Sequence, residues 1–280
     1  DLSISRTTFK WGIPVPNNDQ HIMYVWLDAL TNYITAIGYP DIKSDLYQRY
    51  WPGTHIVGKD ILRFHAVYWP AFLMAANLKP PKRIFAHGWW THEGQKISKS
   101  LGNVIDPYDI VNTYGLDQIR YFLFREVPFG EDGNFSEKAI INRINNDLAN
   151  DYGNLIQRVC FFVYKNCDGI VSNNFDLSKN DNDILKKSKD VLIDYKNHMD
   201  SNEIDKGIRK VFELISLSNA YIDKEAPWEL KKKDTNRMNT VLSVLIDLIK
   251  RISVLTFPVM PLKSNQILNI LNLDIDNLSF

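Results

Sequence analysis

The chain has 280 residues, 45% of them hydrophobic and 24% charged, and 33 Lys plus Arg balance 33 Asp plus Glu. That length allows two domains with cores of their own, and the composition is that of an ordinary globular protein. Zero net charge gives no overall nucleic-acid signal, so such a partner would have to meet local patches such as Lys79, Lys82 and Arg83, or Lys231, Lys232, Lys233 and Arg237, each of which alone reads as solubilising surface.

Residues 1–90 mix short β-rich runs with helical stretches. Met23-Tyr24-Val25-Trp26, His55-Ile56-Val57 and Arg83-Ile84-Phe85-Ala86 read as buried strands. Ile61 through Ala76 carries apolar residues at helical spacing after a Gly58-Lys59-Asp60 turn. Strand, turn, helix, strand is the grammar of an α/β layer with a parallel sheet, where ligands sit at the carboxyl ends of strands. Trp26 to Asp28, Gly58 to Asp60 and His87-Gly88 follow strands and belong at that edge.

Residues 91–135 form a connector with a helix near Ile119 to Phe124. It holds Lys96-Ile97-Ser98-Lys99-Ser100, two ammonium groups and two hydroxyls on a loop bounded by Gly94 and Gly102. The composition suits holding a polyphosphate while its charge shifts, although alone such a pentamer reads as a solvated loop. From Ser136, a plausible N-cap followed by Glu137, the pattern is helical almost throughout. Ile141, Ile144, Leu148, Leu155, Val159 and Phe162 keep helical period, and further helices are expected at 182–199, 203–224 and 238–256, the last stopped by Pro258 and Pro261. A helical bundle follows.

Only Cys160 and Cys167 occur, and no Cys/His cluster has zinc-ligand spacing. They fit a reducing compartment. With no signal peptide and no apolar run of membrane-spanning length, a cytoplasmic chain is expected.

Lys96 to Ser100, continued by Leu101-Gly102-Asn103-Val104-Ile105-Asp106-Pro107 and later by Phe129-Gly130-Glu131-Asp132-Gly133, resembles the KMSKS loop of class I aminoacyl-tRNA synthetases, with flanks similar to the methionyl type. Ile97 stands where the motif has methionine, a swap of similar volume. Tyr24-Val25-Trp26-Leu27-Asp28-Ala29-Leu30 is similar to that family's methionine-pocket segment. The resemblance covers essentially the whole chain. It implies the second half of a Rossmann-like catalytic domain (1–90), a lysine-loop and stem-contact connector (91–135) and an all-α anticodon-binding domain (136–280).

By that resemblance Trp26, Ala29, Leu30, Tyr33, Ile61 and His65 line a methionine pocket, where a polarizable thioether meets aromatic edges. Without it, these are core residues. Gly58, Asp60, His87 and Trp90 would serve ATP, with Gly58 admitting the nucleotide and Asp60 accepting from ribose; by themselves they are a turn glycine and a cap. Lys96 and Lys99 would be catalytic, Lys99 contacting the phosphates, and Mg²⁺ bound through the phosphates would share the charge. Asn154 and Arg158, four apart on one helix face, and Trp228, after Pro227, would read the CAU anticodon of tRNA(Met). Alone, they are a surface pair and an edge-of-core indole.

The family's His-x-Gly-His motif is not in these residues. The resemblance therefore implies a C-terminal part that lacks the first half of the nucleotide fold and any zinc-bearing insertion, and that is inactive without an N-terminal half as partner. Two other readings remain: another class I synthetase (valyl, leucyl, isoleucyl or cysteinyl), against which the Trp26, Tyr33, His65 and Asn154, Arg158, Trp228 sets argue, and a non-catalytic RNA-binding module derived from a synthetase.

Overall fold

The computed structural model describes residues 2–98, 100, 102–171 and 176–275. It divides into two compact units, Asp1–Trp89 and Trp90–Phe280.

In the first unit, β1 (Ser5–Arg6), β2 (Pro14–Val15) and β3 (Asn18–Met23) form an antiparallel sheet with β3 in the middle. Helix α1 (Val25–Thr35) follows at once, so the expected strand Met23–Trp26 is corrected: the strand ends at Met23 and Trp26 lies in the first helical turn. The apolar spacing decides this. Leu30 and Ile34, four apart, are buried while Val25 is 63% exposed, a 3.6-residue period that overrides the β-prone run before it. Asp28 in the first turn complements the helix dipole.

Helix α2 (Asp45–Tyr50) is capped by the Ser44 hydroxyl, which accepts from the Tyr47 N–H. Strand β4 (Thr54–Gly58), a 3₁₀ turn (Lys59–Ile61), a π-helical turn (Phe64–Tyr68), α3 (Trp69–Ala75) and β5 (Arg83–His87) come next. β4 and β5 pair in parallel, Thr54 opposite Arg83 through Gly58 opposite His87. β4 is not buried on both faces as expected: His55 and Val57 point inward while Ile56 is 59% exposed. The core of this unit is Leu30, Ile34, Tyr47, Trp51, Trp69 and Leu73.

In the second unit, β6 (Trp90–His92), β7 (Gln95–Lys96) and, after α4 (Pro107–Tyr114) and α5 (Leu116–Glu126), β8 (Gly133–Phe135) form a sheet with β6 between its neighbours. The expected helix at Ile119–Phe124 is the middle of α5. Ser136 occupies the N-cap of α6 (Glu137–Arg143), although its hydroxyl makes no capping hydrogen bond. A π-helical stretch (Ile144–Gly153) leads directly into α7 (Asn154–Cys167).

The bundle continues with α8 (Lys179–Asp200), α9 (Ile204–Glu225), α10 (Pro227–Lys233), α11 (Thr235–Thr256) and α12 (Pro261–Ile270). Ser178 and Asp181 close a reciprocal capping box at α8, and Asp234 caps α11 through the Arg237 N–H. Pro261 does more than end a helix: it opens α12, a first-turn position that needs no N–H. The largest core cluster takes Leu245, Leu248, Ile249 and Ile252 of α11, and a smaller one joins Leu242 to Val163 and Met238; these five Leu and Ile side chains are wholly buried, and Met238 is 2% exposed. Each such side chain contributes about 2 kcal/mol of burial. Asp117 of α5, 2% exposed, accepts the Lys263 N–H at 2.6 Å and so caps α12 from another element. Arg120 adds hydrogen bonds to the Pro258 and Val259 carbonyls at 2.8 and 2.9 Å, joining α5 to the corner between α11 and α12.

Candidate functional site

In the first unit, α1, the 3₁₀ turn and the π-helical turn bring the expected methionine-site residues Trp26, Tyr33, Ile61 and His65 together. The Tyr33 hydroxyl lies 2.9 Å from His65 Nε2, and His65 Nδ1 lies 2.9 Å from the Ile61 carbonyl. A carbonyl only accepts, so a neutral His65 carries its proton on Nδ1 and takes the Tyr33 O–H at Nε2. His65 is 1% exposed. Trp26 meets it edge-on at 6.0 Å between ring centroids, and burial raises the Tyr33 pKa. Ala29 is exposed one turn before Tyr33, whereas Leu30 is wholly buried in the core with Ile34 and Trp69.

Two residues that the sequence reading passed over complete this cluster. Phe64 stacks on Trp26 at 4.1 Å with the planes 13° apart. His55 lies 4.2 Å from the Tyr33 ring and its Nε2 accepts the Trp69 indole N–H at 3.1 Å. Burial, then the neighbouring His65, lowers the His55 pKa, so the ring stays neutral. A strand residue pointing inward beside an aromatic-rich helix was the signal available for His55; Phe64 follows only from its spacing of three residues after Ile61.

At the carboxyl ends of β4 and β5, Gly58 pairs with His87 and Asp60 lies in the turn after Gly58. A Cβ on Gly58 would sit 2.6 Å from Asp60 Oδ1 and 3.9 Å from His87 Cε1, so three of the expected ATP residues share one small space that only glycine leaves open. Lys59 covers the Trp89 ring at 4.6 Å.

In the second unit, Trp90 packs its indole against Phe122 and Phe135 at 5.9 and 6.3 Å. Lys96 ends β7 with its side chain exposed; Lys99 lies outside the described residues. Asn103, which sequence reasoning did not single out, staples the lysine loop. Its Oδ1 accepts the Ser98 N–H at 2.9 Å, its Nδ2 donates to the Lys96 carbonyl at 3.0 Å, and its carbonyl accepts from His92 Nδ1 at 3.1 Å. An Asn shortly after a polar loop is a common turn residue, which hid the role.

In the helical part of this unit, Asn154 opens α7, Arg158 follows one turn later and Trp228 is the second residue of α10. The Arg158 guanidinium lies 5.5 Å from the Trp228 ring centroid and pairs with Asp223 at 2.5 Å. Trp228 is 40% exposed, not a core indole. The basic patch expected from Lys231 to Arg237 is smaller than its sequence: Arg237 turns inward onto Asp181 and Glu225, so only the lysines face outward.

A profile described as tRNA synthetases class I (M) matches residues 1–160, and one described as the anticodon binding domain of methionyl tRNA ligase matches 171–279. The chain belongs to the methionyl-tRNA synthetase family of class I. It is 51% identical over 280 residues to a methionine--tRNA ligase of Mesorhizobium japonicum, covering 100% of this chain and 54% of that protein. Against the methionine--tRNA ligase of Rickettsia conorii it is 51% identical over 278 residues, 96% of this chain and 54% of the other. A crystal structure of Mycobacterium tuberculosis methionyl-tRNA synthetase bound by methionyl-adenylate superposes with a TM-score of 0.93 at 45% identity, covering 100% of this chain and 56% of that one. The chain thus spans about half the length of the synthetases it matches. The α/β part followed by a helical bundle is the architecture of this synthetase family.

Proposed function

We propose that these residues serve the methionine--tRNA ligase reaction: ATP-dependent activation of L-methionine to methionyl-adenylate, then transfer to tRNA(Met). The carrying observation is the meeting of Trp26, Tyr33 and His65, from two separate elements, through a 2.9 Å hydrogen bond and an edge-on ring contact. A thioether is polarizable and favours ring edges, and a Tyr–His pair gives the sulfur a directed polar neighbour. Shape alone separates one methylene by only about 1–3 kcal/mol, so a polar contact to sulfur adds what volume cannot.

On this reading Gly58, Asp60 and His87 hold the nucleotide at the strand ends, and the Trp90 backbone serves the adenine. Lys96 and Lys99 stabilise charge that develops as the methionine carboxylate attacks the α-phosphate and pyrophosphate leaves. Mg²⁺ would arrive on the phosphates; among the described residues no group of three or more His, Cys, Asp or Glu could hold a metal. Asn154, Arg158 and Trp228 take the CAU anticodon, Trp228 by stacking and the other two by hydrogen bonds to base edges. No described helix is long and apolar enough to cross a membrane, and a cytoplasmic site of action is part of the proposal.

The 280 residues contain no His-x-Gly-His, so on this reading adenylate formation needs that motif from the N-terminal half of the catalytic domain, outside these residues. Methionine-dependent ATP–pyrophosphate exchange tests the reading. The chain alone should be inactive and should turn over when a polypeptide carrying the motif is supplied; robust exchange by the chain alone, or none with the supplement, would refute it.

A further inference from the structure

Three helix ends meet where α8 begins, α9 stops and α11 begins. Asp181, wholly buried, accepts the backbone N–H of Ser178 at 2.9 Å, the Tyr221 hydroxyl at 2.5 Å and both terminal nitrogens of Arg237, Nη2 at 2.8 Å. The same Nη2 also donates to Glu225 at 2.6 Å, and the other Glu225 oxygen accepts from Asn180 at 3.1 Å. Arg237 thus spans two carboxylates on two helices, which a planar fork can do and a point-like ammonium cannot.

Glu225 is the last residue of α9. After it comes Ala226 at φ 41°, a left-handed position that costs an ordinary L-residue, and then Pro227 and Trp228. The backbone direction in which α10 leaves the bundle is set at this corner, and so is the place of the Trp228 ring beside Arg158. Asp181 anchors Arg237 to the bundle; the Glu225 contact passes that anchor on to the corner.

We propose that Arg237 and Glu225 are positioning residues for anticodon recognition, holding the turn between α9 and α10 so that Trp228 is presented to an unpaired base. This rests on the reading of Trp228 as an anticodon-stacking residue. Neither residue need touch RNA, and Arg237 is withdrawn from the basic surface by its two carboxylates.

Arg237→Lys and Glu225→Gln isolate the arm from the anchor. The lysine can still pair with the buried Asp181, and the amide keeps the shape of Glu225 without its charge. Binding of the 280-residue chain to a CAU stem-loop and to the same stem-loop with an altered anticodon would be measured alongside melting temperature, for both variants, for Trp228→Ala and for the double variant Arg237→Lys with Trp228→Ala. Each arm variant should lose about tenfold in affinity for the CAU loop and much of the preference over the altered loop, a change of about 1.4 kcal/mol. In the Trp228→Ala background Arg237→Lys should cost nothing further, the non-additivity of two residues acting through one contact. A general loss of fold would not produce that pattern. If Trp228→Ala weakens binding while both arm variants keep wild-type affinity and preference, or if the two losses add, the positioning role is overturned and the anticodon reading stands. If Trp228→Ala leaves affinity and preference unchanged, both fall together.

Discussion

The two units bury their polar groups in opposite ways. In the second, Asp181 goes into an aliphatic core fully ionised, surrounded by an arginine fork, a tyrosine hydroxyl and a backbone N–H. In the first, the buried polar side chains are imidazoles, His55 and His65, held among Trp26, Tyr33, Trp51 and Trp69. The second unit also has a long continuous core, whereas the first relies on six buried residues, three of them aromatic. A scaffold made of aliphatic helices can afford a fixed charge, because many hydrogen bonds are available to satisfy it. The first unit instead surrounds its imidazoles with aromatic side chains, the Trp69 N–H meeting His55 and the Tyr33 O–H meeting His65.

The sharpest way to break this contrast is to remove Trp69, 2% exposed and the indole donor to His55. Trp69→Ala should destabilise the first unit by about 3–5 kcal/mol, since a large cavity opens in a core too small to collapse around it. Hydrogen exchange at the Leu30, Ile34 and Leu73 amides is the readout. Protection preserved within a factor of ten would show that the aromatic cluster is not what organises this unit.

In the second unit the matching change is Asp181→Asn, which leaves Arg237 with Glu225 alone. Breaking a buried pair from one side costs roughly 3 kcal/mol, whereas Asp181→Asn combined with Arg237→Met should recover part of it, because no charge is then left unpaired. Denaturant unfolding of the single and double variants decides. A double variant less stable than the sum of the singles would mean that the network contributes more than the satisfaction of its own charges.

Acid should separate the units as well. Burial pushes the Asp181 carboxyl up, but hydrogen bonds from Arg237, Tyr221 and Ser178 outweigh it and hold it at about 2, below its ordinary 3.8. Its stabilisation is complete above pH 3.8 and disappears only as pH falls toward about 2, an effect of about 2 kcal/mol. The His55 pKa is lowered from 6.5, so the unfolded chain takes up that proton more readily, and this contribution fades as pH drops below 6.5. Amide exchange followed from pH 7 to pH 3 should therefore show the first unit loosening at mildly acid pH, before the second. The reverse order would remove the two groups as the source of the difference.

How much of this could be read from sequence depended on the range of the interaction. The bundle helices were legible because apolar residues recur every three or four positions, and the start of α8 lay close to its expected place because Ser178 and Asp181 cap it locally. The parallel pair of β4 and β5 was legible from turn chemistry and β-branched runs. Trp26 was placed on a strand because Tyr24, Val25 and Trp26 favour β structure, and the competing period appears only at Leu30 and Ile34. The Asp181–Arg237 pair spans 56 positions and cannot be seen in any window, so Arg237 looked like one more basic residue beside three lysines. The expected site residues came from resemblance; their meeting through Tyr33 and His65, 32 positions apart, is a property of the fold.

The smallest expected effect lies at the left-handed residues. The first unit gives such positions to Asn17 and Asn77, and the second uses Asp168, Asn202 and Asn272 in the same way, side chains that tolerate that conformation, but the second also places Ala226 there. An L-residue in the left-handed region costs roughly 1–2 kcal/mol, which Ala226→Gly would relieve. Glycine also adds disorder to the unfolded chain, worth about 0.4–1 kcal/mol in the other direction. The second offsets much of the first, so Ala226→Gly should stabilise by about 0–1.6 kcal/mol. Thermal melting is sensitive enough to tell. A clear fall in melting temperature would mean that the alanine methyl is packed and contributes to the corner; a rise of more than a few degrees would mean that the corner stores more strain than one dihedral accounts for. Either outcome would locate what fixes the exit of α10: packing at Ala226 in the first case, and in the second the ion pair from Arg237 to Glu225, holding a turn that the backbone alone would abandon.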